Sequence, residues 1–372
     1  MNPSQRLEVH GLRLTDDGEP VALSVGSGEC VALLALPGQA TPTIMSDLID
    51  EVAGHGRASA ASGSRIMVEG RDVTALPPVL RGIAILSERD PLLDHLSVRD
   101  NLGFALAARR MPAAGRHRVD QALALLGLEA EANRRPGRLD PAQRLRAALA
   151  RALVGDPGVV LLDDPLGRIA PGPRHDTQLL LRRLARARGL ALLLLTHDRD
   201  EALMMGERIG ILTNSGLRQF GTAAELLDRP ADEQVAVGFG AANSLSGRVE
   251  WVEDDVARVR LSAGPSVDAM ASRDLQAGAS CVVCVRPERV AVAFAAPGQE
   301  DLGGAFGGDG LAGTLSDLVH LGDHVQLRVR LAAGGEVLVR RPASQPTTGL
   351  RPGRAALLAW PPAHAVAFPL GG

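Results

Sequence analysis

Short aliphatic runs, each closed by a polar residue or a turn, recur along the first part of the chain; the clearest are Val31 to Leu36, Gly82 to Leu86, Val159 to Leu162, Leu190 to Leu195 and Arg208 to Leu212. Near-continuous apolar runs of this length predict strands buried on both faces, and the longer segments of helical period between them predict covering helices. The alternation predicts an α/β fold, a parallel sheet with helices. Between the second and third runs lies a helix-rich insert, about residues 97–152, that includes "RVDQALALLGL". After "GFGAANSLSGRVEW" the pattern changes. From about Ser244 onward, β-branched runs such as "VCVRPERVAVAF", "HVQLRVRL" and "EVLVRRP" are separated by Gly, Pro and Asp turns, which predicts a small all-β barrel. The Gly-rich "PGQEDLGGAFGGDG" reads as an interior loop or linker. The expected domains are residues 1–236 and 237–372.

Composition narrows the class. A chain of 372 residues with 45% hydrophobic content can fill two cores. The net charge of -3 gives no electrostatic ground for a nucleic-acid partner. The start, "MNPSQRLEVH", lacks an apolar core behind a basic segment, and runs such as "LALLLL" fall far below the roughly 20 apolar residues that span a bilayer. A soluble, intracellular protein is the expectation. Cys281 and Cys284 have redox or zinc spacing, but "CVVCVRPERV" reads as a strand, on which positions three apart face opposite ways; with Cys30 they are expected to be structural thiols. Two absences change the picture more: there is no tyrosine, and every one of the 40 Lys+Arg residues is arginine.

In an open parallel sheet, ligands bind beyond the carboxyl ends of the strands. "VALLALPGQATPTIM", Val31 to Met45, reads as strand, loop and helix, a junction that holds phosphate when the loop is glycine-rich and ends in Lys followed by Ser or Thr. Here it has one glycine, Gly38, and no lysine, so a stripped phosphate loop and an ordinary connection both fit the stretch. Asp163 and Asp164 follow "VVLL", and Thr196 and His197 complete the next strand end. A lone Asp there commonly caps a helix or closes a turn, and a lone His is commonly just hydrogen-bonded. Their order along the chain carries more weight than either residue.

That order resembles the ATP-binding subunits of ABC importers, in particular those with a C-terminal TOBE domain. "GRDVTALPPVLRGIAIL" resembles the approach to the family's glutamine loop. "LDPAQRLRAALARALVGDPGVVLLDDPLG" resembles its signature, following helix and Walker B strand, and "LTHDRDEALMMGERIGILTNSGLRQFGTAAELLDRPAD" its histidine switch and closing helix. "VCVRPERVAV" and "LVHLGDHVQLRVRLAAGGEVLV" resemble the TOBE repeat, and "AWPP" the polyamine-type members. The resemblance implies a P-loop NTPase-like sheet with a helical insert and an OB-like (TOBE) barrel, with ATP and Mg²⁺ as cofactors. Implied nucleotide contacts are Ala35, Leu36, Pro37, Gly38, Gln39, Ala40, Thr41, Pro42, Thr43 and Gln143. Asp163 and Glu88 are implied at the metal, and Asp164, His197 and Glu88 in catalysis.

The departures from the pattern bear on activity. Thr41 stands where the family has its phosphate-binding lysine, and Pro42 where it has the magnesium hydroxyl. Glu88 stands at the glutamine, and a carboxylate cannot donate to phosphate or water. Losing Lys and gaining Glu shifts the site by two charges in the direction that repels ATP; one close pair is worth about 4 kcal/mol at an effective dielectric of about 20, less once solvated. The signature Leu, Ser, Gly, Gly, Gln becomes Leu139, Asp140, Pro141, Ala142, Gln143, equally readable as an N-cap and first-turn proline. Asp164 is one methylene shorter than the catalytic glutamate, Ala170 stands at the D-loop aspartate, and Leu14 near the adenine-stacking aromatic.

By resemblance, the chain is expected to act at the cytoplasmic face of the cell membrane as the ATP-binding subunit of an importer, polyamine-like substrates favoured, with impaired hydrolysis. Its implied partners are two membrane-spanning permease subunits, a periplasmic solute-binding protein, and a second ATP-binding subunit in a homodimer or heterodimer. Two alternatives stand beside it: a degenerate structural or regulatory subunit paired with a competent ATPase, and a sensor whose TOBE barrel binds a small ligand.

Overall fold

The computed structural model describes residues 5–14, 18–36, 38, 42–55, 63–87, 89–108, 115–167, 169–262, 264–295, 310–332, 334–347 and 349–370. The chain forms two compact units, residues 1–225 and 226–372. All of the expected Gly-rich loop except Gly310 lies outside the described residues.

The first unit runs β1 (Gln5–Leu12), β2 (Val21–Gly26), β3 (Cys30–Ala35), α1 (Pro42–Ala53), β4 (Arg65–Val68), β5 (Arg71–Asp72) and β6 (Ile83–Ser87). Then come α2 (Val98–Ala108), α3 (Gly115–Leu125), α4 (Pro141–Leu153), β7 (Val159–Asp163), α5 (Pro171–Arg188), β8 (Ala191–Thr196), α6 (Arg199–Met205), β9 (Arg208–Thr213) and β10 (Gly216–Gly221). α7 (Ala223–Asp228) lies at the division between the units.

The five apolar runs form β3, β6, β7, β8 and β9, each within a residue of the expected bounds. Together with antiparallel β10 they make a sheet of order β10-β9-β3-β8-β7-β6. All six residues of β3 and all six of β8 are buried, as central parallel strands require. A second sheet, β2-β1-β4-β5, is antiparallel and was not singled out by the apolar runs; in β1, Leu7, Val9 and Leu12 are buried while the charged and polar positions between face outward. Helices α2, α3 and α4 occupy the expected insert.

Arg81, itself buried, closes the carboxyl end of α1. Its guanidinium donates to the Glu51 and Val52 carbonyls at 2.8 and 3.0 Å, and to those of Leu76 and Thr74 at 2.9 and 2.6 Å. Gly54, at φ +89°, ends that helix in the left-handed region, and a Cβ there would stand 2.5 Å from Arg81 Nε.

The second unit begins with α8 (Glu233–Gly238) and continues as β11 (Asn243–Glu253), β12 (Val256–Leu261), β13 (Ser266–Ala271), β14 (Ser280–Val285), β15 (Ala291–Phe294), β16 (Leu311–His320), β17 (His324–Leu331), β18 (Glu336–Pro342), β19 (Ala355–Ala359) and β20 (Ala365–Pro369). β11-β12-β13-β20-β14 is a closed barrel, and β15-β19-β16-β17-β18 a separate five-stranded sheet. In β17, Val325, Leu327, Val329 and Leu331 face the core while Gln326, Arg328 and Arg330 alternate with them. Cys281 joins that core, whereas Cys284 packs on the other face with Val282 and Phe368. Both are free thiols, as is Cys30.

Candidate functional site

Parallel register brings the polar strand ends to one edge of the sheet. Leu34 of β3 lies opposite Thr196 of β8, Leu195 opposite Asp163 of β7, and Asp163 opposite Ser87 of β6. Four chain segments distant in sequence therefore end side by side. Ala35 and Leu36 are buried at the end of β3, so they support the following loop by packing. Gly38 is in a turn at φ +73°, and Thr43 is exposed in the first turn of α1, which starts at Pro42. Pro37, Gln39, Ala40, Thr41 and Glu88 lie outside the described residues.

Asp163 is held by two neighbours from the β6 side. Ser87 Oγ donates to its Oδ2 at 2.7 Å, and Arg89 Nε lies 3.3 Å from the same oxygen. Asp164, next to it, is exposed and holds a left-handed backbone at φ +42°, a conformation that costs free energy for a residue with a Cβ. Its carboxylate lies over Gly167, where a Cβ would stand 3.0 Å from Oδ2.

His197 is exposed at the end of β8. The turn that carries it is held on both sides. Asp198 caps α6 by accepting from the Asp200 and Glu201 backbone N–H groups at 2.9 and 3.1 Å, and pairs with Arg174 of α5 at 3.0 Å. Thr196 donates to Glu201 Oε2 at 2.5 Å and accepts from the Asp198 N–H at 3.0 Å. Glu201 is buried, and its Oε1 has no hydrogen-bond partner. Burial raises its carboxyl above the ordinary range; the Thr196 bond opposes that rise, and the Asp164 and Asp198 carboxylates add to it.

Gln143 is not brought to this cluster by its hydrogen bonds. Its amide oxygen accepts from the Asp140 N–H at 3.1 Å and its amide nitrogen donates to Glu131 at 3.2 Å. Asp140 is the N-cap of α4 with Pro141 in the first turn, the structural alternative to a phosphate contact. Ala170 is the N-cap residue of α5 without a side-chain bond, and Leu14 packs against the core of the first unit. Sequence reasoning missed Ser87, Arg89 and Glu201. "SERD" directly after an apolar run was a signal for the first two, and the position four residues after His197, one helical turn on, was a signal for the third.

The described residues do not fit a divalent cation as they stand. Asp163 Oδ2 already takes a hydroxyl proton and faces a guanidinium, and no group of three or more His, Cys, Asp or Glu among the described residues could hold a metal. The chain also contains no lysine to offset phosphate charge.

A concave feature lies elsewhere in the same unit. A groove of about 280 Å³ is lined by Ala53, Val79, Ile85, Phe104, Ala108 and Ala152 among others. Phe104, Val79 and Leu80 are more than half exposed, at 56%, 59% and 59%. Asp90 and Arg151, paired at 2.8 Å, are among its lining residues. Exposed large apolar side chains in a concave patch mark an interaction surface. No helix among the described residues is long and apolar enough to cross a membrane.

Comparison with known proteins agrees with this architecture. A family model described as ABC transporter matches residues 19–167, and one described as TOBE domain matches residues 283–368. The spermidine/putrescine import ATP-binding protein of Rubrobacter xylanophilus is 32% identical over 349 residues, 93% of this chain and 88% of the relative. The protein of the same name from Thermobifida fusca is 31% identical over 94% of this chain and 88% of its own length, and one from Pseudomonas aeruginosa 34% identical over 74% of each. Among solved structures, a nucleotide-free ATP-binding cassette from an ABC transporter aligns with a TM-score of 0.50 and 22% identity, over 59% of this chain and 91% of that one, a likeness of fold.

Proposed function

Because the chain belongs to the ATP-binding subunits of ABC importers that carry a C-terminal TOBE domain, we propose that it serves polyamine uptake, with impaired ATP hydrolysis. The observation that carries this reading is a contrast within one unit. The groove around Phe104 offers a partner an apolar surface, while the strand-end cluster has no lysine for nucleotide phosphates and its arginine, Arg89, is paired with Asp163 and Asp50. An apolar helix end of a membrane-spanning subunit suits the groove, with the exposed Asp90 carboxylate among its lining residues for a polar group flanking it. Two such permease subunits and a periplasmic solute-binding protein complete the proposed assembly at the cytoplasmic face of the membrane.

Chemically, Asp164 is the group for orienting water and His197 the one for contacting a terminal phosphate. Asp164 is short for that task and rests over Gly167, and Asp163 is engaged by Ser87 and Arg89. Nucleotide binding is therefore weak and turnover low. A second reading, a structural subunit beside a competent ATPase, is favoured by one observation: Asp140 and Gln143 spend their side chains on capping α4, not on a nucleotide across a dimer.

The test is ATP binding and turnover by the purified chain, with Asp164→Asn and His197→Ala as controls, and co-purification with permease subunits with Phe104→Asp as control. Low turnover unchanged in both site variants, with co-purification lost in Phe104→Asp, supports the reading. Brisk turnover lost in both variants overturns the impairment, and co-purification unchanged by Phe104→Asp overturns the docking surface.

A further inference from the structure

Arg89 stands two residues beyond β6 and reaches back over the strand ends. Its Nε is 3.3 Å from Asp163 Oδ2, and its Nη1 is 3.3 Å from Asp50 Oδ2 on α1. Its backbone N–H donates to Ser87 Oγ at 3.1 Å, the same hydroxyl that donates to Asp163 Oδ2 at 2.7 Å. One arginine thus joins two acids from two elements, and one serine ties its backbone to the same carboxylate. The Asp163 side chain is 18% exposed, so these two partners face much of its polar end.

We propose that Arg89 is the resident counter-cation of Asp163 and keeps divalent metal off that carboxylate. A guanidinium cannot lose its proton in a protein, so this charge is permanent. To ligate a carboxylate oxygen directly, a magnesium ion comes within about 2.1 Å of it and sheds a water, which it does reluctantly. At Oδ2 it would compete with the Ser87 hydroxyl and meet the positive charge of a guanidinium that also pairs with Asp50. The serine and arginine contacts act together: the hydroxyl occupies one acceptor site of the oxygen, and the guanidinium weakens the electrostatic attraction for a second cation. Nucleotide binding at this edge is then independent of divalent metal at Asp163. The inference deepens the proposed function by naming the residue that alters the metal position, and its readout is metal binding, not transport or turnover.

The probe is Mn²⁺, titrated into the full-length chain and followed by loss of the free-ion electron paramagnetic resonance signal. Wild type and Asp163→Asn are expected to give superimposable isotherms. Arg89→Gln is expected to bind Mn²⁺ about tenfold more tightly, the scale of a close charge on a carboxylate equilibrium, and to lose that gain when combined with Asp163→Asn. Arg89→Lys keeps the charge and is expected to behave as wild type. Wild-type binding that Asp163→Asn abolishes overturns the proposal, as does an Arg89→Gln variant, folded by circular dichroism, that gains no affinity. The wild-type and Asp163→Asn comparison involves no change at Arg89, so it can overturn the proposal even if the arginine variants fold poorly.

Discussion

The Gln143 backbone N–H donates to the Asp140 carboxylate at 2.8 Å, while the Gln143 amide oxygen accepts from the Asp140 N–H at 3.1 Å. The two side chains satisfy each other's orphan donors in a capping box at the start of α4. Asp140→Ala is expected to lower stability by about 1 kcal/mol, and Asp140→Ser to restore most of it, read as urea midpoints at unchanged slope. If Asp140 served a nucleotide and not the helix, both substitutions would leave the midpoint where it is.

Glu201 predicts a pH signature. Its carboxyl is raised by burial, with Asp164 and Asp198 adding to the rise and the Thr196 hydrogen bond opposing it. A carboxyl with a higher value folded than unfolded binds more proton in the folded state. Its stabilising contribution is complete below the ordinary value of 4.5 and is lost as pH rises through its own raised value. Glu201→Gln keeps the shape without the charge. The difference in urea midpoint, variant minus wild type, is expected to be more positive at about pH 8 than at about pH 5. An unchanged difference across that interval would remove Glu201 as a titrating group.

The thiols are expected to be silent in the native protein. Burial pushes the Cys284 thiol up to about 12, with Glu233 and Asp232 adding to the rise, and burial raises Cys30 and Cys281 as well. Thiolate, not thiol, reacts with disulfide reagents. At about pH 8, a chromogenic disulfide reagent is expected to find no reactive thiol in the folded chain and all three in denaturant. Rapid native reaction of Cys281 and Cys284 together would point instead to an accessible pair.

The sequence by itself determined the parallel strands, the helical insert, the all-β second unit and the family. These rest on local properties: uninterrupted apolar runs mark strands covered on both faces, alternation marks strands covered on one, and the polar groups follow the runs in a set order. The opposed faces of Cys281 and Cys284 were legible for the same reason, since a strand's period is two. The antiparallel sheet around β1 was not, because charged and polar residues interrupt its strands and no continuous apolar run marks them.

Only the tertiary structure decided what the polar side chains do. Strand order β3-β8-β7-β6 sets Ser87 beside Asp163, and Arg89 then reaches both Asp163 and, on α1, Asp50. The Gln143 side chain hydrogen-bonds Asp140 and Glu131, and Glu201 is buried beneath the turn that carries His197. An ion pair is a matter of a few ångströms between groups that the chain separates by 39 or 74 positions, as Asp50 and Asp163 stand from Arg89, and no local period encodes such a distance.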